Sequence, residues 1–156
     1  FKGGWSISPQ WKMKPTDRIR VTNGRQNDLF RMESRNAFFK EPFKISNQSD
    51  RMGYRLNGPK LLLKENKEMI SEAVSHGSIQ VPSDGNPIIL LADRQTIGGY
   101  PKIAQIASVD LSVAAQKRPG EEVYFEEISN EEAESLYLEQ EKMLRFTKQG
   151  IQLKYR

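Results

Sequence analysis

A mainly β domain, closed or nearly closed into a barrel, is the fold class that this 156-residue sequence predicts. Three observations point to it. About seven or eight short apolar or alternating runs are spaced along the chain, each bounded by Gly, Pro, Asn, Asp or Ser. No repeat of helical crossovers separates those runs, which argues against a doubly wound sheet and for a sheet that closes on itself. A chain of this length buries roughly two thirds of its unfolded surface, enough for one independent core, with two helices left for the periphery.

Residues 1–16 contain Trp5, Pro9, Trp11 and Pro15 with little periodicity and read as an extended connector. They open on Phe-Lys-Gly-Gly-Trp, as the interior of a longer protein would. The tryptophans are expected either to pack on a missing N-terminal half or to cover this domain. A barrel domain is expected over 17–128 and a C-terminal helix with its tail over 129–156. Asp17–Thr22 alternates polar with apolar side chains and ends at Asn23-Gly24, the pattern of a half-buried strand and its turn. Asn27 or Asp28 is placed to cap a short helix running to about Phe39, with Leu29, Phe30, Ala37 and Phe38 on its apolar face and Pro42 beyond its end. Phe43–Ser46 starts a strand, and 49–56 continues into another with Met52, Tyr54 and Leu56 alternating. Arg51, Tyr54 and Arg55 therefore cannot all face one way. Asp50 and Arg51 can bind an anion, or can fix the corner of the sheet by a pairing of Asp50 with Arg51 or Arg55. Asn57-Gly58-Pro59 is a turn, Leu61–Leu63 a short apolar segment, and His76 a solvated loop residue.

The densest stretch is 77–102. Ile79 and Val81 end a strand, Ser83–Asn86 is turn chemistry, and Ile88–Ala92 has the composition of a fully buried strand. Asp93–Lys102 then places an acid, a guanidinium, an amide, a hydroxyl, two glycines and an ammonium in ten positions. Gly98-Gly99 permits positive φ and close approach of backbone N–H groups to an oxygen or anion. The same composition also suits a tight loop whose side chains satisfy its own backbone. Further on, Ile103–Ala107 is a strand, Asp110–Ala114 a turn or one-turn helix, and Val123–Ile128 another strand. Ser129 and Glu132 form a capping box before a helix that carries Ala133, Leu136, Tyr137, Met143 and Leu144 on one stripe, with Gly150 as its stop. That stripe reads as packing on its own barrel, or else as a partner-binding face.

Composition excludes several chemistries. There is no Cys and a single His, so disulfides, thiolate catalysis and a histidine metal cluster are ruled out; oxygen-only binding of a hard cation stays open, and no residue is assigned to a metal. No apolar run approaches a membrane span and no signal-peptide pattern opens the chain, so a cytoplasmic location is expected. Residues 1–70 hold 15 Lys+Arg against 7 Asp+Glu, and residues 71–156 hold 9 against 13. The basic charges of the first half are scattered without a dense run or an RNA-binding aromatic signature, so no nucleic-acid partner is expected.

Three segments, GSIQVPSDGNPIILLADRQTIGGYPKIAQIASVDL at 77–111, SDRMGYRLNG at 49–58 and AQKRPGEEVYF at 115–125, together resemble the second-subunit family of allophanate hydrolase-like proteins. That family includes KipA, the C subunit of bacterial 5-oxoprolinase and the carboxyltransferase domain of urea carboxylase. The resemblance implies a cyclophilin-like barrel, which carries no implication of prolyl isomerase activity, a second such unit before it, and ATP used in an assembled complex. The partners it implies are the KipI-like B and LamB/YcsF-like A subunits of that complex, and the reaction it implies is the opening of 5-oxoproline to glutamate. A regulatory alternative is implied as well, in which the chain binds KipI and relieves its inhibition of a sporulation histidine kinase. On the enzymatic reading Arg51 and Lys102 hold an anion, and Asp93 accepts from an amide N–H. Gln95 and Thr96 orient the carbonyl, Gly98 and Gly99 supply backbone N–H groups, and Asp50, Gln80 and Tyr100 complete the pocket. Biotin is not expected, since Lys12-Met13-Lys14 inverts the biotin-carrier Met-Lys-Met, and no P-loop sequence is present.

Overall fold

A computed structural model describes residues 16–154. The connector and its tryptophans lie outside the described residues. β1 (Arg18–Asn23) is followed by a 3-10 turn at Asn27–Leu29, α1 (Met32–Lys40), β2 (Phe43–Ile45) and β3 (Gly53–Asn57). Next come β4 (Glu72–Ala73), β5 (Ser78–Gln80), β6 (Ile88–Leu90), β7 (Ile97–Gly98) and β8 (Lys102–Ile106). A second 3-10 turn at Ser108–Asp110 leads into α2 (Leu111–Ala115), then β9 (Glu122–Glu127) and α3 (Asn130–Lys154). Seven strands close a barrel in the order β1-β8-β5-β6-β3-β2-β9, and β4 with β7 forms a separate two-stranded sheet. The fold is mainly β with three helices. α2 is the helix that the sequence left between a turn and a helix, and β4 and β7 are too short to announce themselves by alternation.

Closure comes from β1 and β9, which pair in parallel from Arg18↔Tyr124 to Val21↔Glu127. Alternation along each strand sends Ile19 and Val21, Ile79, Ile89, Ala104 and Ile106, and Val123 and Phe125 into one interior cluster, and the register shift between β5 and β8 lets Ile103 join it. α1 lies against β9, and its Phe38 stacks on Phe125 at 4.5 Å between ring centroids. Arg20 and Asp110 tie β1 to the turn after β8. The carboxylate of Asp110 accepts from the Arg20 backbone N–H at 2.8 Å, from Nε at 2.9 Å and from Nη2 at 2.6 Å. Its hydrogen bond to Asp110 raises the Arg20 pKa above its ordinary value.

Four local expectations are corrected. The helix after β1 begins at Met32, with Arg31 rather than Asn27 or Asp28 at its N-cap. Asn27 is buried in the 3-10 turn, and its amide donates to the Ile103 carbonyl at 2.9 Å, so it stitches the turn to β8. Gly150 does not stop α3, which continues to Lys154. Ile88 and Leu90 are only half-buried, because β6 shows one face to the interior and the other to a cleft. His76 is half-buried rather than freely solvated: its Nε2 is buried without a hydrogen-bond partner among the described residues, and burial, with the Arg94 charge second, lowers its pKa. Ser129 does cap α3, its hydroxyl oxygen accepting the Glu132 N–H at 3.0 Å.

Candidate functional site

The site is built on the outer face of the barrel. Gly53 and Arg55 of β3 stand opposite Leu90 and Ile88 of β6, and Gln80 of β5 stands beside Ile88. Alternation puts these side chains on the face away from the core, while Leu56 and Ile89 point in. Over that floor lies the β4/β7 sheet, held by pairing of Glu72 with Gly98 and of Ala73 with Ile97. Between floor and cover is a cleft of about 560 Å³, whose apolar lining includes Val74, Ile88, Leu90 and Ile97. Its polar lining includes Asp50, Arg55, Gln80, Arg94 and Gln95. Gly98, Gly99 and Tyr100 close one side, and Tyr100 is shared with two neighbouring depressions.

Each polar residue has a defined setting. Asp50 folds its own corner, its Oδ1 accepting the N–H groups of Met52 at 2.8 Å and Gly53 at 3.2 Å. Gln80, 5% exposed, donates through Nε2 to the Tyr100 carbonyl at 3.2 Å and so tethers the glycine loop to the barrel. Arg94 is braced by the carbonyls of Ala92 at 3.3 Å and Val74 at 3.4 Å. Among the described residues no hydrogen bond or ion pair holds the Arg55 guanidinium, which leaves a cation facing the cleft.

Four expected site residues lie elsewhere. Arg51 and Asp93 pair with each other at 3.5 Å, with the Arg51 side chain 92% exposed, and neither lines the cleft. Lys102 enters a different network. Its Nζ meets the Glu72 carboxylate at 3.0 Å and donates to the Ala73 carbonyl at 3.3 Å, and its side chain is 16% exposed. Gln26 joins in, donating to Glu72 through Nε2 and accepting the Lys102 N–H at 3.0 Å. The hydrogen bond from Lys102, and then that from Gln26, holds the Glu72 pKa below its ordinary value. Lys102 therefore anchors the cover of the cleft from behind instead of meeting Arg51, from which β5 and β6 separate it. Thr96 contributes its carbonyl to the Val74 N–H at 3.0 Å, and its side chain does not line the cleft. The glycine pair is also not what positive φ would require, since neither Gly98 nor Gly99 has positive φ. Gly98 is needed for space: a Cβ there would sit 2.6 Å from Gln80 Nε2.

Two residues that the sequence pattern did not assign to the site, Arg55 and Arg94, supply its positive charge. Arg55 was legible from alternation, because it falls on the opposite face from Tyr54 and Leu56 and thus away from the core. Arg94 sits in the loop between β6 and β7, where no periodicity gives a direction.

Known proteins agree with this architecture. The chain is 44% identical over 120 residues to the C subunit of 5-oxoprolinase from Haemophilus influenzae, covering 77% of this chain and 39% of that protein. It is 42% identical over 117 residues to the protein of the same name from Escherichia coli, covering 75% of this chain and 38% of that one. The chain thus spans about two fifths of the length of these curated relatives. The crystal structure of the Kluyveromyces lactis urea carboxylase matches with a TM-score of 0.75 at 29% identity, over 80% of this chain and 12% of that one. Residues 4–127 match the family model described as carboxyltransferase domain, subdomain A and B. With most of its length inside that match, and with a closed barrel carrying its cleft on the outer face, this chain belongs to the carboxyltransferase-domain family of subdomains A and B.

Proposed function

We propose that the chain is part of an ATP-dependent enzyme of the 5-oxoprolinase type, which opens the cyclic amide 5-oxoproline to glutamate together with KipI-like and LamB/YcsF-like partner proteins. The observation that carries this reading is the cleft itself, which sets Arg55 and Arg94 beside the apolar surface of Ile88 and Leu90. 5-Oxoproline is a small ring with one apolar edge, one amide and one carboxylate. A guanidinium binds a carboxylate by two parallel hydrogen bonds, and Arg55 is the cleft cation whose guanidinium makes no hydrogen bond or close ion pair among the described residues, although Asp84 lies near enough to feel its charge. The ring methylenes would lie on Ile88, Leu90 and Ile97. Gln95 and the Gly98–Gly99 backbone are the groups available to the amide, where donors aimed at developing negative charge stabilise the transition state. ATP belongs to the assembled complex in this reading, and no step places it on this chain, which has no P-loop sequence.

The test is 5-oxoproline-dependent ADP release by the complex assembled with the two partner proteins, each component being omitted in turn. Release is expected to require this chain, and Arg55→Gln is expected to raise KM for 5-oxoproline ~10-fold or more while the complex still assembles. Release that continues without the chain overturns the assignment. An Arg55→Gln variant with unchanged KM removes the carboxylate role from the cleft.

A further inference from the structure

We propose that α3 is a self-association element that pairs antiparallel with α3 of a second copy of this chain. Among the described residues the helix meets its own barrel chiefly at its start. Ala133 and Leu136 are half-buried there, against the turn at Ser108–Asp110. Beyond them the same apolar stripe continues without a partner among the described residues. Tyr137, Leu144 and Ile151 recur every seven residues on one face with Met143 at its edge, and all four are exposed, Leu144 at 49%. A seven-residue repeat keeps one seam facing a partner helix.

Charge selects the partner and its direction. Residues 130–141 carry five Glu and no Lys or Arg, while residues 142–153 carry Lys142, Arg145 and Lys148 and no Asp or Glu. Complementing the helix dipole requires such charges only in the first and last turns. Here the segregation runs the length of the helix, and among the described residues no ion pair within 4.0 Å involves it. A parallel copy would set acid against acid and base against base. An antiparallel copy sets each half against its complement, so the helix is its own best partner. With the twofold axis at Leu144, Tyr137 meets the partner's Ile151, Leu144 meets its own symmetry mate, and Glu141 lies beside the partner's Lys148. The paired stretch, 137–151, is ~22 Å long at 1.5 Å per residue.

The chain should therefore run as a concentration-dependent dimer in light scattering or sedimentation at ~100 µM. Leu144→Asp, which places two carboxylates across the axis, should weaken association at least ~10-fold while leaving the melting of the barrel unchanged, since the side chain touches none of the core. Glu141→Lys should also weaken it, and Glu141→Lys with Lys148→Glu should restore it. Because the sequence contains no Cys, single cysteines report geometry directly. Leu144→Cys should cross-link with itself on oxidation. Tyr137→Cys and Ile151→Cys should fail alone and succeed when the two variants are mixed. A monomer at that concentration means that the stripe is covered by something other than a second copy, and overturns the proposal. A dimer indifferent to Leu144→Asp, or one in which Tyr137→Cys cross-links with itself, overturns it as well.

Discussion

Gly98 leaves room for one amide. Its missing Cβ is what allows Gln80 Nε2 to reach the Tyr100 carbonyl, so Gly98→Ala should displace that amide and loosen the loop that carries Tyr100. The expected cost is ~1 kcal/mol in denaturant unfolding, toward the low end for overpacking because the colliding atom ends a flexible side chain. Gln80→Ala combined with Gly98→Ala should show less than the sum of the two single losses, as residues in contact do. His76 gives a pH signature. Burial lowers its folded pKa below the ordinary value of 6.5, so in the window beneath that value the unfolded chain binds the proton more readily than the folded one. Its contribution to stability is complete above pH ~6.5 and is lost as pH falls toward the folded pKa. Melting temperature should drop between pH ~7 and pH ~5, and His76→Gln should flatten that drop; an identical pH dependence in the variant would remove His76 as its source. Residue types in 77–102 announced that a site was present, but not which side chains enter it. Lys102 and Arg94 show why. Lys102 opens a short strand and Arg94 sits in a loop, and whether such a long cation reaches Glu72 or the cleft depends on parts of the chain some twenty residues or more away.

At the scale of elements, the barrel strands were legible because alternation records which face is buried, and Asp17–Thr22 and Val123–Ile128 fall on β1 and β9 almost residue for residue. The start of α1 was not, because an Asn before an apolar run has the composition of a cap whether its side chain turns to its own helix or, as Asn27 does, to a neighbouring strand. β4 and β7 offered two residues each, below any period. Their position depends on Lys102, Glu72 and Gln26. Lys102→Met should therefore act on the cleft indirectly. It leaves the half-exposed Glu72 without its ammonium, and the 71–74 and 95–100 backbone should exchange amide hydrogens faster, while β1 and β9 stay protected. If those segments exchange at the wild-type rate, Lys102 is not their anchor. The turn from β1 is constrained more severely. A Cβ on Gly24 would lie 2.3 Å from the Lys102 carbonyl and 2.6 Å from the Ala104 nitrogen, both backbone atoms of β8. Gly24→Ala should cost about 3 kcal/mol or more in equilibrium unfolding, at the upper end of overpacking effects.

Over the whole molecule, stability concentrates where distant parts of the chain are forced together. Asp110, 4% exposed, satisfies both the backbone and the guanidinium of Arg20. Asp110→Ala should cost about 2–3 kcal/mol, since it strands a backbone N–H and a partly buried cation at the seam of the barrel. Asp110→Asn should cost less, because a carbonyl oxygen can still accept one of the bonds. The barrel as a class could be read from the sequence because the count and spacing of short strands, with no crossover helices between them, leave few other arrangements. The order of strands around it could not, since nothing local in β1 records that its neighbours are β8 and β9.

That neighbourhood gives the domain a mechanical character. β1 and β9 run side by side in the same direction, so the chain enters at one end of the seam and leaves for α3 at the other. Tension applied through the two ends pulls these strands past each other along their length, and it loads every hydrogen bond between Arg18–Val21 and Tyr124–Glu127 at once instead of opening them one by one. A pair of antiparallel terminal strands would unzip. Held this way, the barrel should yield only at high force and in a single event, behaving as a clasp between whatever lies on either side of it.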